Sequence, residues 1–355
     1  MEQDRKIRVA ITHGDTNGVG YELIFKTFDN PAMLELCTPI VYGSPKVATY
    51  HRKALGLETQ FSIIAKAEEA KAGRLNLLTT FDDDLKVEFG QPSDEASEAA
   101  RKALKQAMVD VQQQKADVLV MAPDRLPDFL SREPEVLKLR MASDMRIALV
   151  TNLMAIKDVP AAITMQEVVL KARIMHTCLH RDLRISCPRI AILALNPPSG
   201  NDKLLWGEEE KNTIIPAIDE LEQAGIQVFG PYAADTFFGQ ADYLKFDGVL
   251  AMYHDQGMTP LKALTDEAAV CLATGMPFVC TSAEVGTGFD IAGKGIADEA
   301  ALRNAVYLAI DVFRNRQSYD EPLANPLPKL YKEKRDDSEK IRFAVTKTKE
   351  PAQKE

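Results

Sequence analysis

The sequence has few features that would tie the protein to a membrane, to nucleic acid or to an oxidising compartment. No apolar run approaches the length of a membrane span, and the polar N-terminus does not have the pattern of a signal peptide. The five cysteines are scattered and odd in number, and none forms a CxxC pair, which predicts reduced thiols. A net charge of -9 argues against nucleic-acid backbones and anionic membranes as partners. We therefore expect a cytoplasmic protein that binds neither.

What the sequence does contain is a regular alternation of strand-like and helix-like segments. With 355 residues, of which 46% are hydrophobic, the chain can bury a large core and form two domains or one large α/β unit. Strands separated by helices of ten or more residues predict right-handed crossovers and a mostly parallel sheet. The expected strands are residues 7–12, 38–42, 117–121, 189–195, 226–229, 248–252 and 278–281, and the expected helices are residues 19–28, 46–55, 94–115, 208–224 and 299–315.

The C-terminal segment, residues 326–355, differs from the rest because it is dense in charge and ends in an almost wholly polar stretch. This composition predicts an extension that lies on the surface. Its short apolar piece, residues 341–345, could instead dock as an edge strand or lie against a neighbouring subunit.

The segment from Tyr253 to Lys262 has the residues of a metal-and-anion site, and it follows a predicted buried strand. The imidazole of His254 can ligate a divalent ion, the Asp255 carboxylate can support it, and the Lys262 ammonium can meet a phosphate. Asn196 follows another predicted strand. Ligands of α/β sheets bind at the carboxyl ends of the strands, so we expect Asn196 to contact a ligand as well.

Two glycine-rich segments are candidates for binding a phosphate or a cofactor. Residues 13–22 follow a strand and open a helix, where backbone amides can face an anion, although the spacing is not that of the GxGxxG fingerprint. The alternative is a tight turn between strand and helix. Residues 286–295 could wrap a nucleotide, with Asp290 as a hydrogen-bond acceptor, or could simply connect a strand to a helix.

The remaining histidines have weaker signals. His176 and His180 have the spacing of a helical metal pair, but no third ligand is near in sequence, so ordinary helix-face histidines are favoured. His13 either contacts a ligand at its turn or is an ordinary polar residue at the end of a strand. His51 is expected on a surface helix, without a role.

Taken together, these segments resemble the PdxA family of 4-hydroxythreonine-4-phosphate dehydrogenases over residues 6–315. The motifs that carry the resemblance are the glycine turn at 14–20, LNP at 195–197, Gly-Pro at 230–231 with Ala-Asp-Thr at 234–236, YHDQG at 253–257 and GTxxDIAG at 286–293. The last motif is also similar to the adenine-side loop of isocitrate and isopropylmalate dehydrogenases.

The resemblance implies a two-domain α/β/α fold of the isocitrate/isopropylmalate dehydrogenase type, with mostly parallel sheets and not a Rossmann fold. It also implies a homodimer whose cleft uses both subunits. Residues 1–125 together with 275–320 would form one α/β domain with the termini and the cofactor loop. Residues 126–274 would form the central domain, on the dimer and metal or substrate side, and residues 326–355 would form the charged tail.

The implied reaction is oxidation of a small phosphorylated substrate. NAD(P)+ would take hydride from C3 of 4-phosphooxy-threonine, and the β-keto product would lose carbon dioxide on the route to pyridoxal phosphate. A divalent ion (Zn, Mg or Mn) would polarise the reacting oxygen as a Lewis acid. Residue by residue, the resemblance gives a metal ligand at His254 and a substrate-binding lysine at Lys262.

Other functional positions of the family carry different residues in this chain. Of the family's three metal-binding histidines, two align with Leu153 and Pro198, which have no side-chain donor atom. An asparagine and an arginine that contact the substrate align with Cys271 and Cys280, so a bidentate anion clamp is absent. The histidine before GTxxDIAG is Val285.

One further stretch departs from the family pattern. The segment that matches GPxxK reads Ala-Pro-Asp-Arg-Leu at 122–126 and lacks the lysine, and no GHTE motif follows between residues 127 and 146. The strands, helices and turns around these positions still have foldable patterns. The contrast predicts a scaffold that has been kept while the active site has degraded.

The sequence therefore predicts a set of site residues and leaves three functions open. The site residues are His254 for metal, Asp255 and Lys262 for catalysis, Asn196 and Lys262 for substrate, and Asp15, Gly286, Thr287 and Asp290 for the cofactor. The first function is the family dehydrogenase with a degraded active site. The second is a non-catalytic paralogue that binds a phosphorylated or nucleotide ligand, or that serves as a subunit beside an active homologue. The third is an enzyme for another substrate, with new groups from Cys271, Cys280 or Asp124.

Overall fold

A computed structural model describes residues 5–81, 85–124, 135–197, 207–265 and 268–326. Within these ranges the chain forms a mixed α/β structure around one large sheet, so the predicted mostly parallel α/β fold is confirmed. No described helix is long and apolar enough to cross a membrane. The expectations for residues 341–345 and for nearly all of the tail fall outside the described ranges.

Twelve strands and ten α-helices make up the described fold. The strands are β1 Arg8–Thr12, β2 Thr38–Gly43, β3 Phe61–Ile64, β4 Leu75–Thr79, β5 Val118–Met121, β6 Leu137–Ala142, β7 Met145–Leu149, β8 Ile190–Leu193, β9 Val228–Tyr232, β10 Gly248–Ala251, β11 Val270–Thr274 and β12 Val279–Ala283. The helices are α1 Gly20–Asp29, α2 Pro31–Leu36, α3 Pro45–Ala54, α4 Asp94–Gln112, α5 Val159–Ala162, α6 Met165–Thr177, α7 Ile215–Gln223, α8 Ala234–Gly239, α9 His254–Leu264 and α10 Ala300–Ala324.

The strands lie in the order β3-β4-β2-β1-β5-β12-β11-β6-β7-β10-β8-β9. Two parallel halves, β3 to β12 and β7 to β9, are joined through β11 and β6, which pair antiparallel with their neighbours. Both joining strands fall inside the predicted central domain, residues 126–274. The division into domains at these boundaries remains a prediction.

Helix boundaries differ from the expected ones for local reasons. Ser93 caps α4 by accepting a hydrogen bond from the amide of Ala96. The helix ends at Gln112 and not at residue 115, because Gln114 has a left-handed φ of 59°. At the other end of the chain, α10 continues past the expected residue 315. The guanidinium of Arg316 is buried against Asp182 and anchors this extension.

The sheet is covered on both faces, which places the loops that matter at its edge. Buried side chains of β1 and β5, such as Val9 and Val118, pack with α1 and α10 on one face, and α4 covers the other. Burial of one such side chain stabilises the fold by about 1.5–3 kcal/mol. Because parallel strands end at the same edge, the segments after β1, β5 and β12 meet there. Those after β7, β8 and β10 meet in the same way.

Candidate functional site

The carboxyl ends of β7, β10 and β8 are tied together by the side chains of Gln256 and Thr151. Gln256 accepts a hydrogen bond from the amide of Met252 at 2.7 Å and donates to the carbonyl of Ala194 at 2.6 Å. The Thr151 hydroxyl donates to the carbonyl of Met252 at 2.8 Å. These bonds fix the segments that carry His254 and Asn196. The sequence did not predict a role for Gln256, since its partner Ala194 follows a different strand and is 62 residues away.

His254 and Asp255 form a pair at the start of α9. The imidazole Nδ1 lies 2.8 Å from the Asp255 carboxylate, and the two side chains are 40% and 69% exposed. In the neutral imidazole, donation from Nδ1 to this carboxylate leaves Nε2 as the free ligand atom. The structure thus brings together two of the predicted site residues, with one nitrogen available to a metal or a substrate.

Asn196 lies at the end of β8, but its side-chain amide is held by carboxylates. Its Nδ2 donates to Glu209 and to Glu210 at 2.9 Å each. Glu210 is fully buried, and its other oxygen accepts from the backbone amides of Leu195 and Asn196 at 2.8 and 2.9 Å. The donors of Asn196 are therefore used inside the protein. The sequence alone did not predict a role for Glu210, because its partners Leu195 and Asn196 precede it by 15 and 14 residues.

Lys262 lies on the same helix as His254 and is exposed. Eight residues of α-helix span about 12 Å, so the ammonium starts from a backbone position more than two turns away from the imidazole. The structure therefore places Lys262 on the same element as the His254–Asp255 pair but does not bring their backbones together.

The donors around His254 do not fit a catalytic divalent ion. Among the described residues there is no group of three or more histidine, cysteine, aspartate or glutamate side chains that could hold one. Leu153 follows β7 with 76% of its side chain exposed, and it offers only hydrocarbon. Catalytic metal sites generally use three protein ligands and keep one open position. Pro198 lies outside the described residues.

In the first glycine-rich segment the backbone amides donate to protein groups. The amide of Asn17 donates to the Asp15 carboxylate at 2.9 Å, and the amide of Gly18 donates to the Asp15 carbonyl at 3.0 Å. The amide of Val19 donates to the carbonyl of Thr287 at 3.0 Å. These amides are satisfied by the protein, and Asp15 is 1% exposed. The geometry is that of the tight βα turn, one of the two alternatives that the sequence left open.

The second glycine-rich segment lies beside the first, as its contact through Thr287 shows. One side of it packs inward, since a Cβ on Gly293 would lie 2.8 Å from the Phe89 ring. The other side is open: a Cβ on Gly286 would meet nothing within 4 Å, and Asp290 is exposed. Of the four predicted cofactor residues, Gly286 and Asp290 are therefore exposed to a ligand, Thr287 is half-buried and Asp15 is buried.

The helix α3 is a surface helix as expected, with Tyr50 and Lys53 exposed, but His51 lies on its buried face. Its side chain is fully buried, its Nε2 lies 2.7 Å from the carbonyl of Thr16, and its ring packs 4.9 Å from that of Tyr21. His51 follows the buried Val47 and Ala48 by four and three residues, which places it on the same face of α3. That spacing was the signal in the sequence that could have predicted its burial.

His13 is also fully buried, and it stacks on Tyr21 at 5.1 Å with the ring planes 5° apart. Neither of its ring nitrogens makes a hydrogen bond of ordinary geometry. Burial lowers the pKa of His13 to about 3 and that of His51 to about 4, so both rings are neutral near pH 7. In this conformation His13 is closed to a ligand that arrives from solvent.

The other candidate groups lack the surroundings that their chemistry needs. His176 and His180 stack at 6.1 Å, but no third ligand completes a metal site within the described ranges. Cys271 and Cys280 are buried, and burial raises their pKa values to about 11 and about 12. A protonated buried thiol is a poor nucleophile. Asp124 is the last described residue before the gap at 125–134.

Comparison with known proteins shows which family the chain is similar to. The family described as "Pyridoxal phosphate biosynthetic protein PdxA" matches residues 35–126 and 124–309. A 4-hydroxythreonine-4-phosphate dehydrogenase of Bacteroides thetaiotaomicron is 48% identical over 96% of this chain and 98% of its own length. A D-threonate 4-phosphate dehydrogenase of Cupriavidus necator is 33% identical over 84% of this chain and 95% of its own.

Solved structures agree with this assignment. A crystal structure of a 4-hydroxythreonine-4-phosphate dehydrogenase from Burkholderia phymatum superposes with a TM-score of 0.70 and 32% identity, over 87% of this chain and 99% of that one. The match therefore extends over nearly the whole of the relative. The chain belongs to the PdxA family.

Proposed function

We propose that this chain is a PdxA-family protein that binds a phosphorylated or nucleotide ligand and no longer carries out metal-assisted oxidation. The observation that carries the proposal is the donor set around His254. Asp255 is its one carboxylate partner among the described residues, the amide of Asn196 is held by two glutamates, and Leu153 has no donor atom. A single imidazole with one exposed carboxylate holds a divalent ion weakly in water.

Two features favour a ligand with a phosphate group. Lys262 presents an exposed ammonium, and α9 begins at His254, so its N-terminus favours negative charge near the imidazole. The two related dehydrogenases that are named for their substrates both act on 4-phosphates, of hydroxythreonine and of threonate. The proposed ligand class is therefore a small phosphorylated hydroxy acid.

The nucleotide part of the proposal rests on the loop at 286–295. Gly286 leaves open space for a ligand, and the exposed Asp290 carboxylate can accept a hydrogen bond from a ribose hydroxyl. Thr287 holds this loop against the first turn, where Asp15 organises the backbone. We therefore assign direct contact with NAD(P) to Gly286 and Asp290, and a positioning role to Thr287 and Asp15.

A metal titration by calorimetry on chelator-treated protein tests the loss of the metal site. We expect no saturable binding of Zn2+, Mn2+ or Mg2+ at micromolar concentration, because one imidazole supplies too few ligands. A tightly bound ion in the purified protein would overturn the proposal. In parallel, thermal unfolding with NAD+ or with phosphorylated 4-hydroxythreonine should show stabilisation without turnover.

The identity of 48% to a curated dehydrogenase favours a second candidate, which is the family reaction itself. In this case NAD(P)+ would oxidise 4-phosphooxy-threonine in pyridoxine biosynthesis, with Asp255 and Lys262 acting on the substrate. An assay that follows NADH absorbance with each metal in turn separates the candidates. Turnover above that of a Lys262→Ala variant would establish the second, and absence of turnover together with ligand-induced stabilisation would establish the first.

We further propose that the chain forms a cytoplasmic homodimer, as the family resemblance implies. The acidic net charge of -9 is compatible with a protein that has no nucleic-acid partner. Size-exclusion chromatography with light scattering tests the dimer directly. A mass of one chain, 39.3 kDa, at micromolar concentration would overturn it.

A further inference from the structure

A cavity lies at the opposite edge of the sheet from His254. It has a volume of about 340 Å³ and is bounded by the π-turn Cys178–Asp182, by the segment that leads into β8, and by the last turns of α10. We call it the Arg184 pocket. It is lined by His180, Arg184, Ser186, Ser318, Tyr319, Pro322 and Leu323. β8 begins at Ile190, so the pocket lies near the amino ends of the strands, whereas the candidate site lies at their carboxyl ends.

The walls of the Arg184 pocket are held together by two ion pairs. Arg316 donates from Nε and Nη2 to the two oxygens of Asp182 at 2.8 Å each, and both side chains are nearly buried. Arg181 pairs with Asp320 one turn further along α10. The two pairs bracket Ser318 and fix α10 to the π-turn. The pocket is therefore preformed and needs no closing movement to exist.

One of the three arginines around the pocket has no carboxylate partner among the described residues. The guanidinium groups of Arg181 and Arg316 each have a carboxylate partner. Arg184 instead lies with its guanidinium carbon 5.8 Å from the centre of the Tyr319 ring, and no carboxylate of the described ranges lies within ion-pair distance of it. A cation on an aromatic face keeps its N–H donors at the rim of the guanidinium plane, where an anion can reach them.

The backbone of Arg184 is in the left-handed region, with a φ of 60°. This conformation is costly for a residue that has a Cβ, and glycine is the residue that adopts it freely. Glycine at position 184 would therefore relieve this backbone cost while removing the guanidinium.

We propose that the Arg184 pocket binds a small oxyanion, a phosphate monoester or a carboxylate, that is attached to an apolar body. Arg184, His180 and the two serine hydroxyls supply donors for the oxyanion. Tyr319 and Leu323 supply the apolar wall. The volume is at the lower end of the range for small-molecule sites, which limits the ligand to about the size of one substituted ring. This site is independent of the proposed function at His254.

Calorimetric titration of the full chain with phenyl phosphate tests the site, because this probe combines an oxyanion with a ring. Inorganic phosphate and benzoate, titrated separately, distinguish the contribution of the phosphate from that of a carboxylate on a ring. We expect saturable binding of phenyl phosphate and at least tenfold weaker binding to the Arg184→Gly variant. That variant should also unfold at a higher temperature, because glycine relieves the left-handed backbone.

The matched control is Gln114→Gly. Gln114 also has a left-handed backbone, with a φ of 59°, but it follows α4 and is not among the residues that line the pocket. It should raise stability in the same way and leave the affinity for phenyl phosphate unchanged. Equal affinity in Arg184→Gly and wild type, or no saturable binding of phenyl phosphate, would overturn the proposal. Loss of binding in Lys262→Ala alone would do so as well, because it would place the probe at α9.

Discussion

Arg316 and Asp182 form a doubly hydrogen-bonded ion pair in the interior of the protein. Two nitrogens of the guanidinium donate to two carboxylate oxygens at 2.8 Å, and the side chains are only 9% and 2% exposed. Arg316 also donates to the carbonyl of Met276 at 3.2 Å. The pair thus joins α10 both to the turn that precedes β8 and to the turn between β11 and β12.

Removal of one partner should destabilise the fold strongly. We expect Arg316→Ala to lower the free energy of unfolding by about 3–5 kcal/mol, because an unpaired carboxylate would remain buried. Urea denaturation measures this change. The exposed pair of Arg173 and Glu220, at 46% exposure on each side, is the control, and its loss should cost less than about 1 kcal/mol. Equal effects at the two pairs would contradict the assigned burial.

The buried histidines predict a pH dependence of stability. His13 and His51 have pKa values of about 3 and about 4 in the folded protein, against 6.5 for an exposed histidine. Below pH 6.5 the unfolded chain binds protons that the folded chain does not. The free energy of unfolding should therefore fall as the pH drops towards 4, at up to ~1.4 kcal/mol per pH unit for each ring.

The variant His13→Phe isolates one of these contributions. Its ring can stack on Tyr21 in the same way, and the ring nitrogens that it removes make no hydrogen bond of ordinary geometry. The difference in unfolding free energy between pH 7 and pH 5 should be smaller in this variant by about 2 kcal/mol. Equilibrium unfolding in urea at the two pH values measures it. An unchanged pH dependence would mean that His13 is not buried as a neutral ring.

The sequence predicted elements better than it predicted contacts. The first and last residues of β1 and β2 were predicted from apolar runs in the sequence. In the structure both strands begin and end within one or two residues of the predicted positions. The periodicity of apolar residues depends only on residues near in sequence, so a single segment is enough to predict a strand or a helix. Gln256 could not be assigned in this way, because its partner Ala194 follows a different strand, 62 residues earlier in the chain.

The candidate site shows the same limit. His254 was predicted from its motif, and its contact with Asp255 follows from their adjacency on the helix. Glu210 holds the amide of Asn196 from a separate turn, and only the folded backbone brings the two together. The burial of His51 could have been predicted from its spacing of four residues from Val47. It was not predicted, because a single polar residue is more often exposed than buried.

Two glycines with left-handed backbones should differ in how strongly alanine destabilises them. Gly14 has a φ of 72°, and a Cβ there would lie 2.0 Å from the carbonyl oxygen of Pro123. Gly56 has a φ of 64°, and a Cβ there would meet nothing within 4 Å. Gly56→Ala should therefore cost about 1–2 kcal/mol from backbone conformation alone. Gly14→Ala adds a collision with backbone, and we expect a loss of more than about 3 kcal/mol.

Thermal unfolding of the two variants side by side measures this difference. Because the turn at Gly14 positions the loop at Thr287, the Gly14 variant should also lose stabilisation by NAD+, whereas the Gly56 variant should keep it. Similar melting temperatures for both variants would contradict the close approach of Gly14 to Pro123.

Restoration of imidazoles should rebuild a metal site if the alignment with the family is right. The variant with Leu153→His and Pro198→His would place two further nitrogen ligands with His254. Leu153 is 76% exposed, so its replacement should cost little stability. We expect the affinity for Zn2+ to rise at least a hundredfold, because three protein ligands meet the requirement of an open tetrahedral site.

The control is Ile156→His on the same segment, 72% exposed, which should leave the affinity unchanged. Calorimetry on chelator-treated variants distinguishes them, and equal zinc affinity in both would show that Leu153 does not face the position of the metal.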